Sequence, residues 1–180
     1  MAKIYISLPR KRNRQYPNGG DESFWMSEMA QLIANDLANK GVICVISPEE
    51  LKMPALIRDA NADTYDLHLA LRSNEACLHY KGRRKGAQFF YYEHDTKGKE
   101  IAQSIAESYK KIYPEPNLVQ VDSVTALDEL RKTKATAILA ELIYHDNPQD
   151  EIWLTHHTDE IAKNLSRSIY SVLEFYELTN

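Results

Sequence analysis

Two hydrophobic periods alternate along the chain. Short apolar runs rich in β-branched and aromatic residues occupy 3–7, 42–46, 65–71, 87–92 and 137–143, each bounded by polar or glycine-containing segments. Such runs predict strands. Between them the apolar positions step by three or four. Met26, Met29, Ile33 and Leu37 define one face of a helix that starts at Asp21 and ends near Lys40-Gly41, where glycine takes the left-handed terminal position. Shorter helices are predicted over 54–62, 98–113 and 126–131, the second stopped by Pro114. Asn147-Pro148 combines a helix N-cap with proline at the first helical position. Thr158 caps a long last helix whose apolar face carries Ile161, Leu165, Ile169, Val172 and Leu173, with Asp159 and Glu160 at its positive end.

Strands alternating with helices predict an α/β fold: a single, mostly parallel, twisted sheet of about five to six strands with helices on both faces. The 180 residues fit one domain, spanning 1–180. Sites in such sheets gather at the carboxyl ends of the strands. Glu141 and Arg72 both fall near such ends.

Glu141 is the most informative of these positions. It interrupts the oily run Ile138-Leu139-Ala140-Glu141-Leu142-Ile143-Tyr144 before the break at His145-Asp146-Asn147-Pro148. A buried, ionised carboxylate needs a partner or a raised pKa. Glu141 is therefore either a general base in a dry cleft or a structural carboxylate paired with Arg72 or Arg131.

The remaining chemistry is thinner. The six histidines form no HExxH or other metal motif. His68 shares a strand face with Arg72 and reads as a hydrogen-bonded structural residue, and His156-His157 as exposed polar residues. The loops Arg10-Lys11-Arg12 with Arg14, and Lys81 with Arg83-Arg84-Lys85, are solvated clusters or a joint anion-binding rim. Tyr91-Tyr92 either pack or stack on a sugar. Cys44 and Cys77 are too few and too far apart for a disulfide framework, and both read as buried thiols, Cys44 especially.

Composition removes several classes. A net charge of −4 gives no case for a nucleic-acid or anionic-membrane partner. No apolar stretch approaches the roughly 18 residues of a membrane span. The N-terminus runs from an apolar strand into a basic loop, the reverse of a secretory leader, so no signal peptide is expected here. Action outside the cell then needs another route of export or release.

From Asp66 onward the order of motifs resembles the zinc-dependent N-acetylmuramoyl-L-alanine amidases of the amidase-3 type. The stretch from Leu130 to Glu141, followed by His145-Asp146-Asn147-Pro148-Gln149-Asp150, is similar to the family's strand ending in the catalytic glutamate and its Asn-Pro-x-Asp helix start. Asp66-Leu67-His68-Leu69-Ala70-Leu71-Arg72-Ser73-Asn74 resembles the strand ending in His-x-Asn, and Gly86–Tyr92 the strand after it. The resemblance implies cleavage of the bond between muramic acid and the first alanine of the peptidoglycan stem peptide, with peptidoglycan fragments as partners. It implies a zinc ion held by two His and one Glu, with the strand-end glutamate as proton carrier. Glu141 matches that glutamate, and Glu22 matches the Glu ligand.

Two ligand positions depart from the pattern. The loop after the first strand, Leu8-Pro9-Arg10-Lys11-Arg12-Asn13, contains no histidine, and Arg72 stands where the second histidine belongs. A guanidinium offers only donors and stays cationic, so it cannot ligate a metal. The expectation is that zinc is not bound and that Arg72 fills the metal position, neutralising Glu141 and Glu22 with help from Arg10 or Arg12. Asn74 and Arg131 join Arg10 and Arg12 as candidate substrate or anion contacts. Two functions follow: an amidase with an impaired or altered site, or an inactive pseudo-amidase that binds muropeptide or a protein partner. A third reading rests on Lys3-Ile4-Tyr5-Ile6-Ser7-Leu8-Pro9, which faintly resembles nucleoside deoxyribosyltransferase-like chains.

Overall fold

Six strands form one sheet in the order β2-β1-β3-β6-β4-β5. They are β1 (Lys3–Ser7), β2 (Ile43–Ile46), β3 (Leu67–Asn74), β4 (Ala87–Tyr92), β5 (Val119–Val124) and β6 (Ala137–Tyr144). The structure is a computed structural model and describes residues 1–10 and 14–179, with side chains through residue 176. All pairings are parallel except β4 with β6, which is antiparallel. The expected α/β architecture is therefore present, with β4 and β5 reversed relative to the other four strands.

The helices are α1 (Glu22–Ala38), α2 (Met53–Ala60), α3 (Thr96–Tyr109), α4 (Asp128–Lys132), α5 (Pro148–His156) and α6 (Thr158–Thr179). The large core lies between one sheet face and α1, α3 and α6. Met26, Met29, Ile33 and Leu37 from α1 and Ile161, Leu165 and Ile169 from α6 are fully buried there, as their spacing predicts. The other face is covered thinly. Tyr5 packs with Leu56 and Ala60 of α2, and Ala70 and Leu139 pack with Leu130 of α4. Because that cover is thin, the strand ends on this side open toward solvent.

Three differences from the sequence expectation matter. First, β3 runs through Arg72 to Asn74 rather than stopping at Leu71, so Arg72 is a half-buried strand residue. Second, β5 was not expected, because Val119-Gln120-Val121-Asp122-Ser123-Val124 is half polar and sits on the sheet edge. An edge strand satisfies only one side of its backbone and tolerates that polarity. Third, Cys77 is exposed in the loop after β3 and Cys44 only half-buried on the edge strand β2, so neither is a core thiol. Burial still pushes the Cys44 thiol up to about 11.

The turn after β6 organises the rim. Asn147 caps α5, accepting from the N–H groups of Gln149 at 3.0 Å and Asp150 at 3.2 Å. Asp146 accepts from the N–H of Ala76 at 3.0 Å and of Gly82 at 2.6 Å, fixing the basic loop between β3 and β4. Asp150 accepts from the N–H of Gly86 at 3.0 Å and of Tyr144 at 2.9 Å, and from the Tyr113 hydroxyl. Gly86 has φ of 119°, and a Cβ there would meet the Leu118 carbonyl oxygen at 2.3 Å, so no other residue fits.

Asp150 is 3% exposed and serves three donors from three segments. Asp150→Ala strands those donors and is expected to cost about 3 kcal/mol. The measurement is the midpoint of urea denaturation, which should fall without a change in slope.

Candidate active site

The site lies where β1, β3 and β6 end and α1 begins. Arg72 and Glu141 are directly opposite across the β3–β6 pair, and Gln88 of β4 is opposite Glu141 on its other side. All three share the thinly covered face, because side chains alternate along strands. The β3–β6 register slips between Arg72 and Asn74. An irregularity of this kind beside a cleft opens the sheet and re-aims side chains.

The segment before α1 folds back on itself. The Tyr16 N–H donates to the Gly20 carbonyl at 3.1 Å, and Gly19 and Gly20 take positive φ, which turns the chain. The Glu22 N–H then reaches the Arg14 carbonyl at 3.2 Å. Asp21 caps α1 by accepting from the Phe24 N–H at 2.8 Å. This return is what places Arg14, eight residues upstream, against Glu22.

Glu22 is 3% exposed and fully engaged. Its Oε1 accepts from the Ser73 N–H at 2.8 Å and the Ser73 hydroxyl at 3.1 Å. Its Oε2 accepts from Arg14 at 3.2 Å. Ser73 also lies 2.9 Å from His145 Nδ1. With the hydroxyl proton given to Glu22, Nδ1 must carry its own proton to donate to Ser73. His145 stacks on Tyr16 with 5.4 Å between ring centroids, and its burial pushes the imidazole pKa down.

Arg72 turns away from Glu22. Its guanidinium donates to the carbonyls of Ser7 at 2.9 Å and Leu71 at 2.7 Å, and to Glu129 at 2.8 Å. Glu129, on α4, also accepts from the Ser7 hydroxyl and lies 3.0 Å from His68 Nε2. His68 is 1% exposed within this network, a hydrogen-bonded structural residue as its place on the strand predicts. Burial would raise the Glu129 carboxyl, but the Arg72 charge and the bonds from His68 and Ser7 outweigh it and hold the group at about 2.

Glu141 has the opposite fate. Burial, reinforced by the nearby Glu22 charge, raises its carboxyl to about 7. Arg14, Arg72 and a hydrogen bond from Asn74 pull it down without prevailing. Asn74 also donates to Gln88 at 3.0 Å, which fixes its amide beside Glu141. Glu141 lines two recesses. One, of about 350 Å³, holds Arg10, Arg14, Glu22 and Arg72. The other, of about 600 Å³, is walled by Phe90, Glu93 and Leu127.

The other expectations sort cleanly. Arg10 reaches the first recess, whereas Arg12 falls outside the described residues. Arg131 is bound to Asp128 at 2.6 Å on the exposed side of α4, so it is neither the partner of Glu141 nor a wall of either recess. The direct cation on Glu22 is Arg14, not Arg72, because the fold-back of the α1 leader delivers a closer guanidinium. The cluster after β3 does not join Arg10 in a common rim: Lys85 pairs with Glu115, Lys81 lies 3.7 Å from Glu75, and Arg84 stacks over Tyr80. His156 and His157 are exposed. Sequence reasoning missed Ser7, Ser73, Glu129 and His145, and placed Arg14 only among the loop cations.

The donors around Glu22 do not make a metal centre as they stand. Both of its oxygens are occupied by hydrogen-bond donors, one of them a guanidinium. Among the described residues, no group of three or more His, Cys, Asp or Glu side chains is arranged to hold an ion. Among the same residues, no helix is long and apolar enough to cross a membrane.

Solved structures share this fold over nearly the whole chain. An N-acetylmuramoyl-L-alanine amidase from Clostridium difficile 630 superposes with a TM-score of 0.84 at 19% identity, covering 96% of this chain and 97% of that one. AmiC2 of Nostoc punctiforme, also an N-acetylmuramoyl-L-alanine amidase, gives 0.83 at 15% identity, with 96% and 97% covered. The catalytic domain of the CD27L endolysin, which targets Clostridia difficile, gives 0.74 at 22% identity, with 95% and 98% covered. No curated protein matches the chain by sequence. The family model described as N-acetylmuramoyl-L-alanine amidase, Amidase_3, matches residues 11–171 and thus takes in α1, the strand end at Arg72 and Glu141; the chain belongs to that family.

Proposed function

We propose that the chain is a peptidoglycan-directed domain of its family in which zinc-dependent hydrolysis is impaired, because side-chain cations occupy the metal position. One observation carries the reading. Glu22, the family's carboxylate ligand by resemblance, spends one oxygen on Arg14 and the other on Ser73. A zinc ion there would have to displace the Arg14 guanidinium from one oxygen and the Ser73 donors from the other, with the Arg72 charge lining the same recess. The resident side chains do not fit the ion.

What is retained is a cleft suited to the muramoyl–peptide junction. The carboxyl of Glu141, at about 7, stands between two recesses with Asn74 holding it in place. A carboxylate of that basicity can accept a proton from water and return it to a departing amine near neutral pH. This favours a second reading, slow metal-free hydrolysis, over complete loss of chemistry. In either case the ligand carries a muramoyl group.

Muramoyl dipeptide is expected to bind the purified protein equally well with and without a chelator, as read by calorimetry. Protein grown with added zinc is expected to carry well under one equivalent by mass spectrometry. Stoichiometric zinc, or chelator-sensitive release of stem peptides from purified cell wall, overturns the proposal.

Glu141 also predicts a pH-dependent stability. Its folded pKa of about 7 lies above the 4.5 of a free glutamate, so the folded state holds the proton more tightly. The stability this adds is complete below about pH 4.5 and is lost as pH rises through about 7. Glu141→Gln should leave the melting temperature unchanged at low pH and raise it above neutrality, by on the order of 1–3 kcal/mol of stability. Equal effects at both ends of the range would show that the carboxylate is not under strain.

A further inference from the structure

We infer that the arginine-walled recess beside Glu141 is a carboxylate site, and that its favoured ligand is muramic acid whose lactyl group is free rather than amide-linked to a peptide. The domain would then read the product of amide cleavage better than the substrate. The inference rests on the peptidoglycan-directed reading above and names the ligand of the same site.

A zinc ion acts as a Lewis acid and polarises a neutral carbonyl oxygen. A guanidinium does that poorly, but its planar fork of N–H groups matches a carboxylate in both charge and geometry. Replacing the metal by arginine therefore changes what the position prefers. A neutral amide gains a single ordinary hydrogen bond, whereas a carboxylate gains charge-assisted ones.

The recess supplies donors in the required state. The Arg14 side chain is 33% exposed, and one of its terminal nitrogens accounts for its bond to Glu22, so the rest of its fork is available to a ligand. Arg10 is exposed at the mouth. Arg72 lies behind them, 14% exposed and tied to Glu129, and contributes charge rather than a free fork. The acids in this corner are mostly answered from within. Glu22 is paired with Arg14, and Glu129 with Arg72. Glu141 forms no ion pair with a described residue and is the one carboxylate that opposes an incoming anion. The volume, about 350 Å³, is at the lower end of small-molecule sites, roughly 300–1,000 Å³, and suits a single sugar with its acid arm.

Calorimetry on the full chain tests this with four probes: N-acetylmuramic acid, its lactyl amide, N-acetylglucosamine, and the dipeptide L-alanyl-D-glutamate. The free acid is expected to bind at least about tenfold more tightly than the amide, in line with a charge-assisted pair. N-acetylglucosamine, which lacks the acid arm, should bind no better than the amide. Arg14→Gln should remove that preference, weakening the acid much more than the amide, and Arg14→Lys should remove part of it, since the charge remains and the fork is lost. Glu141→Gln should tighten the acid by lifting the opposing charge. If Arg14→Gln does not fold, the lysine and Glu141 variants carry the test. Equal or tighter binding of the amide overturns the inference, as does binding of the dipeptide in place of muramic acid. If muramoyl dipeptide binds and free muramic acid does not, this inference fails while the proposed function stands. If no muramoyl compound binds, both fail.

Discussion

Removing a carboxylate from water costs several kcal/mol unless a cation or a set of donors replaces the lost hydration. Three glutamates converge on the corner where β1, β3 and β6 end, and Arg72 serves only one of them directly. It sits 2.8 Å from Glu129 and, together with the bonds from His68 and Ser7, holds that group at about 2. Glu141, opposite Arg72 in the sheet, feels the same guanidinium only at a distance and rises to about 7. Both acids are largely withdrawn from solvent, so burial does not separate them. What separates them is their company: Arg72, His68 and Ser7 answer Glu129, whereas Glu141 faces the Glu22 charge, and much of this follows from which acid the arginine bonds.

The backbone makes the choice. The Ser7 and Leu71 carbonyls each accept from Arg72. With those bonds made, the fork points under the strand ends toward α4, and its remaining nitrogen meets Glu129 and the Ser7 hydroxyl. Glu22 would be left bare, but the turn at Gly19-Gly20 returns Arg14 to it. The reversal of β4 then sets Gln88 beside Glu141, where it accepts from Asn74 instead of supplying a charge. Among the described residues, the arginines Arg14 and Arg72 thus bond Glu22 and Glu129 rather than Glu141, and the Glu141 carboxyl stays basic.

Much of this was legible one residue at a time and little of it pairwise. The periods of α1 and α6, the Asn147-Pro148 start of α5 and the incongruity of Glu141 are local facts, written within a few consecutive residues. The strand β5 was hidden because edge position relaxes the apolar pattern that betrays a strand. The partners were hidden for another reason. Arg72 and Glu129 are 57 positions apart, and His145 meets Ser73 across 72. Spacing along a helix or strand carries no information about such meetings, which depend on strand order and on the direction of β4. Arg14 was nearer, eight residues from Glu22, yet its approach depends on a tight turn whose outcome composition alone does not specify. Arg131 illustrates the converse: it was close in sequence to the key strand and still faces outward on α4.

The coupling of Arg72 to Glu129 also constrains how such a site can change. A histidine at position 72 has too short a reach and too few donors to replace the fork, so that exchange alone leaves Glu129 buried beneath the sheet with only His68 and Ser7 to answer it. Breaking one side of a buried pair costs more than removing both. A metal ligand at 72 is therefore compatible with this corner only if position 129 loses its charge in the same step, and Glu22 accepts an ion only if Arg14 is drawn off it. The two arginine–glutamate pairs act as two separate locks on the arrangement. Loss of either arginine alone leaves a glutamate only 3% exposed without its cation, so the arrangement resists change by single steps.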